Sequence, residues 1–282
     1  MIVFCSTLLA CSSVSLGHGA AGAARPGPAH TSRTRVLADS DLFAACQRRL
    51  ESTARGTPVM AIAGASYTAG VGPRNPELSW AVQLARALRW NAVINGVSGA
   101  GYVRAGAGGQ GPVARLLARE DLAALHPALV IVQAGHDDTG VPPGIERDRV
   151  RQAIALIRAE APRARIALLT VFTRRSPSRP AALFQTDAAI IAGALAADPG
   201  VIIMDPLTEH WDYQHFDGGL HPTAAGDTWI AGKVAEILRA HGVLPAAAGL
   251  GDPMICVAAA GVGPHHGGDA VTAVIGDRRS DA

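Results

Sequence analysis

Pro58-Val59-Met60-Ala61-Ile62-Ala63-Gly64-Ala65-Ser66-Tyr67-Thr68-Ala69-Gly70 is the segment on which the reading of the fold turns. Its first half is a short apolar run opened by proline, with no polar residue at alternate positions. A strand covered on both faces reads this way. Its second half changes to small and polar residues between glycines, the composition of a loop. The same change recurs downstream. Apolar runs at 92–97, 129–134, 166–171 and 201–204 alternate with amphipathic stretches at 76–88, 113–125, 145–160 and 181–196, and a last helix is expected over 223–241. Strands separated by helices in this rhythm predict a three-layer α/β/α sandwich with a five-stranded parallel, flavodoxin-like sheet. Trp80 and Trp229 fall on the helical stretches and are expected in the core.

Composition narrows the function classes. The chain has 282 residues, 49 % of them hydrophobic and 17 % charged, enough for one sizeable core. Net charge is +2, the only lysine is Lys233, and the arginines form nothing longer than pairs such as Arg48-Arg49. A nucleic-acid partner would require a concentrated basic stripe, so none is expected. Residues 1–23 read as a signal peptide, with an apolar run too short to span a bilayer followed by small residues. Leu8-Leu9-Ala10-Cys11 also resembles a lipoprotein box, which makes Cys11 a candidate lipid anchor. The chain is therefore expected to be secreted or associated with the cell envelope, without a transmembrane segment.

Residues 24–56 read as a linker and an N-terminal helix, 57–244 as the folded domain, and 245–282 as a flexible tail. Once a signal is removed, Cys46 and Cys256 remain. They either form a disulfide between the two ends of the domain or stay as separate thiols. His265-His266 in the tail lacks carboxylate or thiol companions and carries no metal expectation.

In an open parallel sheet, ligands bind at the carboxyl ends of the strands. Four polar or glycine-rich loops fall there: Gly64-Ala65-Ser66, Asn95-Gly96-Val97-Ser98-Gly99, Gly135-His136-Asp137-Asp138 and Asp217-Gly218-Gly219-Leu220-His221-Pro222. In this order and at these positions, they resemble the sequence blocks of the SGNH hydrolases, the GDSL-like esterase/lipase family, over roughly residues 57–240. The resemblance implies that Ser66 is the nucleophile and His221 its base. It also implies an oxyanion hole built from the Ser66 N–H, the Gly99 N–H and a side chain at position 137. Such a hydrolase acts on small-molecule, lipid or carbohydrate esters and needs neither cofactor nor metal. Tyr67, Tyr102 and His136 are candidate substrate contacts, and Trp211 and Tyr213 lie near the same loops.

Three departures from the family pattern matter. The position before the serine is usually aspartate and here is Ala65. The usual Gly-x-Asn-Asp is Gly135-His136-Asp137-Asp138, and an ionised aspartate can only accept where asparagine donates. The family's acid lies three residues before its histidine, where Gly218 stands, with Asp217 one residue further back. Either Asp217 reaches the imidazole through a bulge at Gly218-Gly219, or a backbone carbonyl orients a Ser-His dyad. Asp137 also favours a second reading, a catalytically degenerate binding or cell-envelope protein. A flavin-binding reading rests on sheet type alone, and the first loop lacks the run of hydroxyl residues that a phosphate would require.

Overall fold

A computed structural model describes residues 39–53, 56–172, 180–215, 219–244, 252–262 and 271–275. The expected signal segment with Cys11, the linker before residue 39, Asp217 and His265-His266 lie outside these residues. In chain order the elements are α1 (Asp39–Thr53), β1 (Val59–Gly64), α2 (Ser66–Ala69), α3 (Trp80–Leu88), β2 (Asn91–Val97), α4 (Val113–Leu117), α5 (Leu122–Leu125) and β3 (Leu129–Gln133). They continue with α6 (Pro143–Glu160), β4 (Arg165–Leu169), α7 (Ala181–Ala197), β5 (Ile202–Met204), α8 (Ala224–Ala240), β6 (Ile255–Ala260) and β7 (Val271–Ile275).

The sheet runs β5-β4-β3-β1-β2-β6-β7. Every neighbouring pair is parallel except β6 with β7. The chain leaves β1 toward β2 and then crosses back to β3 on the other side. The strand order therefore reverses at β1, the place where doubly wound sheets bind ligands.

Alternate strand residues feed two cores, one on each face. Met60, Ile62, Leu129 and Ile131 join α3 and α8, with Trp80, Leu84, Ile230 and Val234. Ala61, Ala63, Val130 and Val132 join α4, α6 and α7, with Leu116, Ile154 and Ile190. This division is the period-two consequence of a pleated strand covered on both sides. Helix starts follow local chemistry. Ser79 caps α3 through Val82 N, Thr223 Oγ1 accepts from Gly226 N at 3.1 Å, and Pro143 occupies the first turn of α6.

Three expectations are corrected. The stretch 113–125 is two short helices, because Asp121 takes a left-handed backbone (φ 39°) and caps the second one through Ala124 N. Trp229 is not core but 40 % exposed. Ile230 and Val234 take the inward positions of α8, so Trp229 lies on its flank and packs edge-on against Trp211 at 5.8 Å.

The third correction concerns the tail, which supplies two strands rather than a flexible end. Ile255, Cys256 and Val257 are fully buried, and β6 pairs with β2 in parallel, covering an edge that would otherwise stay open. Cys46 and Cys256 form a disulfide with Cα atoms 5.8 Å apart, joining α1 to β6 across 210 residues. Phe43, Leu50, Val59, Val93 and Leu125 pack around it. Closing so long a loop stabilises the fold by about 2–5 kcal/mol through the unfolded chain. Cys256→Ser should therefore lower the melting temperature by roughly 5–15 °C. A fall of under about 2 °C would show that packing alone holds β6.

Candidate active site

Ser66 opens α2 directly after β1 and is 7 % exposed. Its hydroxyl lies 2.9 Å from His221 Nε2. Three glycines let the chain fold this closely. A Cβ on Gly64 would meet Thr68 Oγ1 at 2.2 Å, and one on Gly96 would meet the Ala69 nitrogen at 2.4 Å. One on Gly72 would meet the Pro222 carbonyl at 2.0 Å. The first two seat α2 on the ends of β1 and β2, and the third brings the His221-Pro222 step against the loop after α2.

His221 is held from the same side. The Tyr67 hydroxyl donates to the carbonyl of Leu220, the residue before His221, and lies 3.0 Å from the Tyr213 hydroxyl. The Tyr67 ring stacks on Phe172 at 4.2 Å and lies 5.5 Å from the imidazole. Burial pushes the Tyr67 phenol well above its ordinary range, so it stays a donor. Beyond the imidazole, Thr223 N donates to the Gln214 carbonyl at 2.9 Å and fixes the start of α8.

Tyr67 and Tyr102 are each 2 % exposed and belong to the two cores. Both side chains pack into the framework beside the proposed site. His136 is part-buried, and its Nδ1 lies 2.8 Å from the Phe172 carbonyl. A carbonyl only accepts, so Nδ1 carries the proton in that contact. Trp211 and Tyr213, also near the loops, are buried in the core that contains Phe172.

The Ser66 and Gly99 N–H groups engage no hydrogen-bond acceptor among the described residues. Gly99 has φ 76°, a backbone setting that favours glycine. Asp137 lies in the single turn His136–Asp138 after β3. Burial pushes its carboxyl upward, His136 opposes the shift, Asp138 adds to it and Arg104 opposes it. Asp217, the expected orienting acid, lies outside the described residues.

Sequence reasoning overlooked a carboxylate clamp behind the Gly99 loop. Asp138, fully buried, accepts from Tyr102 N at 2.6 Å, Val103 N at 3.3 Å and Arg104 N at 3.0 Å. A Cβ on Gly101 would strike its carboxylate at 2.0 Å, so that glycine and Asp138 require each other. The signal was present in the second aspartate of Gly135-His136-Asp137-Asp138, but nothing local shows which loop it grips. Fully buried Glu146, at the start of α6, receives no N–H or O–H on either carboxyl oxygen. Burial, and then the Asp138 charge and contact, push it up to about 8. It therefore holds its proton near neutral pH.

Asp227 on α8 is likewise fully buried, accepts from Trp80 N at 2.9 Å, and is pushed by burial to about 8. Both groups bind a proton more tightly folded than unfolded. Their contribution to stability is complete below about pH 4 and is lost as pH rises toward 8. Melting temperature should fall between pH 5 and 8, and Asp227→Asn, which keeps the acceptor to Trp80 N, should flatten that slope. An unchanged slope would mean that Asp227 is already ionised at pH 5.

No helix of the described residues is long and apolar enough to cross a membrane. No cluster of three or more His, Cys, Asp and Glu side chains among them could hold a metal ion.

Comparison with known proteins gives the same architecture. A GDSL lipase of Mycobacterium tuberculosis is 28 % identical over 201 residues, covering 64 % of this chain and 80 % of that protein. A family two carbohydrate esterase from Clostridium thermocellum, solved with cellohexaose, superposes with TM-score 0.51 at 19 % identity, over 66 % of this chain and 65 % of its own. The carbohydrate esterase family 2 enzyme of Corynascus thermopiles, solved with a carbohydrate-binding domain, gives 0.54 at 20 % identity, over 66 % and 67 %. This chain thus spans about two thirds of each of those structures, and at such identities the likeness is one of fold. The profile of the GDSL-like lipase/acylhydrolase family matches residues 62–229, a span that holds the Ser66 loop, the Gly99 and Asp137 loops and His221. With well over half of its length matched in this way, the chain belongs to the GDSL-like lipase/acylhydrolase family.

Proposed function

We propose that this protein is an exported serine esterase that hydrolyses an ester through an acyl-enzyme on Ser66. The observation that carries the reading is the 2.9 Å contact of Ser66 Oγ with His221 Nε2 at the reversal point of the sheet. A serine hydroxyl is a poor nucleophile until an imidazole takes its proton. In the proposed reaction, His221 Nε2 takes that proton as Oγ bonds to the ester carbonyl carbon. The developing oxyanion is received by the Ser66 and Gly99 N–H groups. Collapse breaks the bond to the alcohol, which leaves with the proton from His221, and water then releases the acid by the same steps. Asp217 is assigned to orient His221.

Lipid or carbohydrate esters are the proposed substrates, in keeping with the GDSL lipase and carbohydrate esterases that the chain resembles. Export rests on the apolar run and small residues of positions 1–23. Asp137 supports the rival reading, a degenerate binding protein, because a charged carboxylate cannot donate to an oxyanion. A fluorophosphonate probe separates the two. Stoichiometric labelling mapped to the Ser66 peptide is expected, and a folded protein that takes up no label would favour the binding reading.

A further inference from the structure

Resting on that assignment of Ser66, we infer that Gln133 is the positioning residue of the nucleophile loop, acting through Ala65 and Thr68 rather than on substrate. Gln133 is the last residue of β3, 2 % exposed, and stands beside Gly64 in the pairing of β1 with β3. Its side-chain Oε1 accepts from Ala65 N at 3.2 Å, Thr68 N at 3.3 Å and Thr68 Oγ1 at 3.0 Å. Its main-chain carbonyl also accepts from Ala65 N, at 3.0 Å.

These contacts answer a specific need. α2 has four residues, too few to hold helical geometry without outside support. The first N–H groups of any helix have no partner inside it, and they are usually served by an oxygen on the capping side chain. Here the cap position is Ala65, which supplies none. Gln133 delivers the missing acceptor from the neighbouring strand, 65 residues away from Thr68. Gly64 makes room for it, since a Cβ there would strike Thr68 Oγ1 and come within 2.9 Å of the Gln133 carbonyl. The consequence is directional. With Ala65 and Thr68 fixed on either side, the Ser66 hydroxyl is held toward His221, and the Ser66 N–H stays uncommitted.

The test uses the full-length protein with Gln133→Met, which keeps length and loses the acceptor, and with Thr68→Val and Thr68→Ser. Gln133→Met should lower kcat by roughly 30- to 300-fold, the scale of an ångström-sized misplacement of a reacting group, with KM within about threefold. Fluorophosphonate labelling should slow by the same factor, while the acid limb of the pH profile stays in place. Thr68→Val should cost about five- to tenfold, and Thr68→Ser, which keeps the hydroxyl, should stay within about twofold. The double variant Gln133→Met/Thr68→Val should be no slower than Gln133→Met alone, since both act through one oxygen. Wild-type kcat in Gln133→Met would overturn the assignment, as would effects of the two substitutions that simply multiply. If Gln133→Met does not fold, the split between Thr68→Val and Thr68→Ser decides, and equal rates in those two would also overturn it. Failure of the Ser66 reading is distinct, because the wild-type protein would then take up no label.

Discussion

Ser66→Ala is expected to lower ester turnover by about four to six orders of magnitude while leaving the fold intact. In serine hydrolases the nucleophile and its base act as a unit, so removing one costs nearly as much as removing both. A small residual rate remains, because the oxyanion donors still act on a water-mediated reaction. The melting temperature should stay within about 3 °C of wild type. The side chain lost is small, and the α2 backbone is held by the hydrogen bonds of Ala65 and Thr68 rather than by the hydroxyl. The measurement is turnover of a short-chain aryl ester together with fluorophosphonate labelling. Turnover persisting at wild-type level in Ser66→Ala would place the nucleophile elsewhere and remove the basis for the proposed mechanism.

Asp137→Asn is expected to raise the rate at neutral pH by about 100- to 1,000-fold, corresponding to the 2.7–4 kcal/mol that one oxyanion donor contributes. In the proposed mechanism, the resemblance to the SGNH hydrolases implies that position 137 is the side-chain donor of the oxyanion hole. A charged carboxylate there removes the donor and sets a like charge beside the developing oxyanion. Burial raises the Asp137 carboxyl from its ordinary range, so a protonated, donating form becomes available on the acid side. Acid also protonates His221, however, and so removes the base. Wild-type activity should therefore peak in a narrow window on the acid side of the Asn variant's optimum. Rates of the two proteins compared from pH 5 to 8 give the answer. If Asp137→Asn is slower throughout, the carboxyl serves as a proton donor in its own right, and the oxyanion argument fails.

The sequence by itself determined the sheet type and the main parts of the proposed site. Each of the five expected strands formed within one or two residues of its apolar run. Burial on both faces leaves a signature within the segment, and helical periodicity does the same for α3, α6 and α8. The Gly-x-Ser turn and the His221-Pro222 step were equally legible, because their chemistry is carried by adjacent residues. Tertiary structure decided what depends on partners distant in the chain. Residues 255–260 carry little turn chemistry or amphipathic pattern, and only the open edge of β2 and the Cys46–Cys256 disulfide make them a strand. Gln133 looks like one polar interruption in an apolar run until β1 and β3 are paired in register. Then its amide oxygen meets Ala65 and Thr68. Asp138 and Tyr67 follow the same rule. A side chain's type is local information, but the hydrogen bond it makes is set by which strands lie side by side, and that depends on the whole chain.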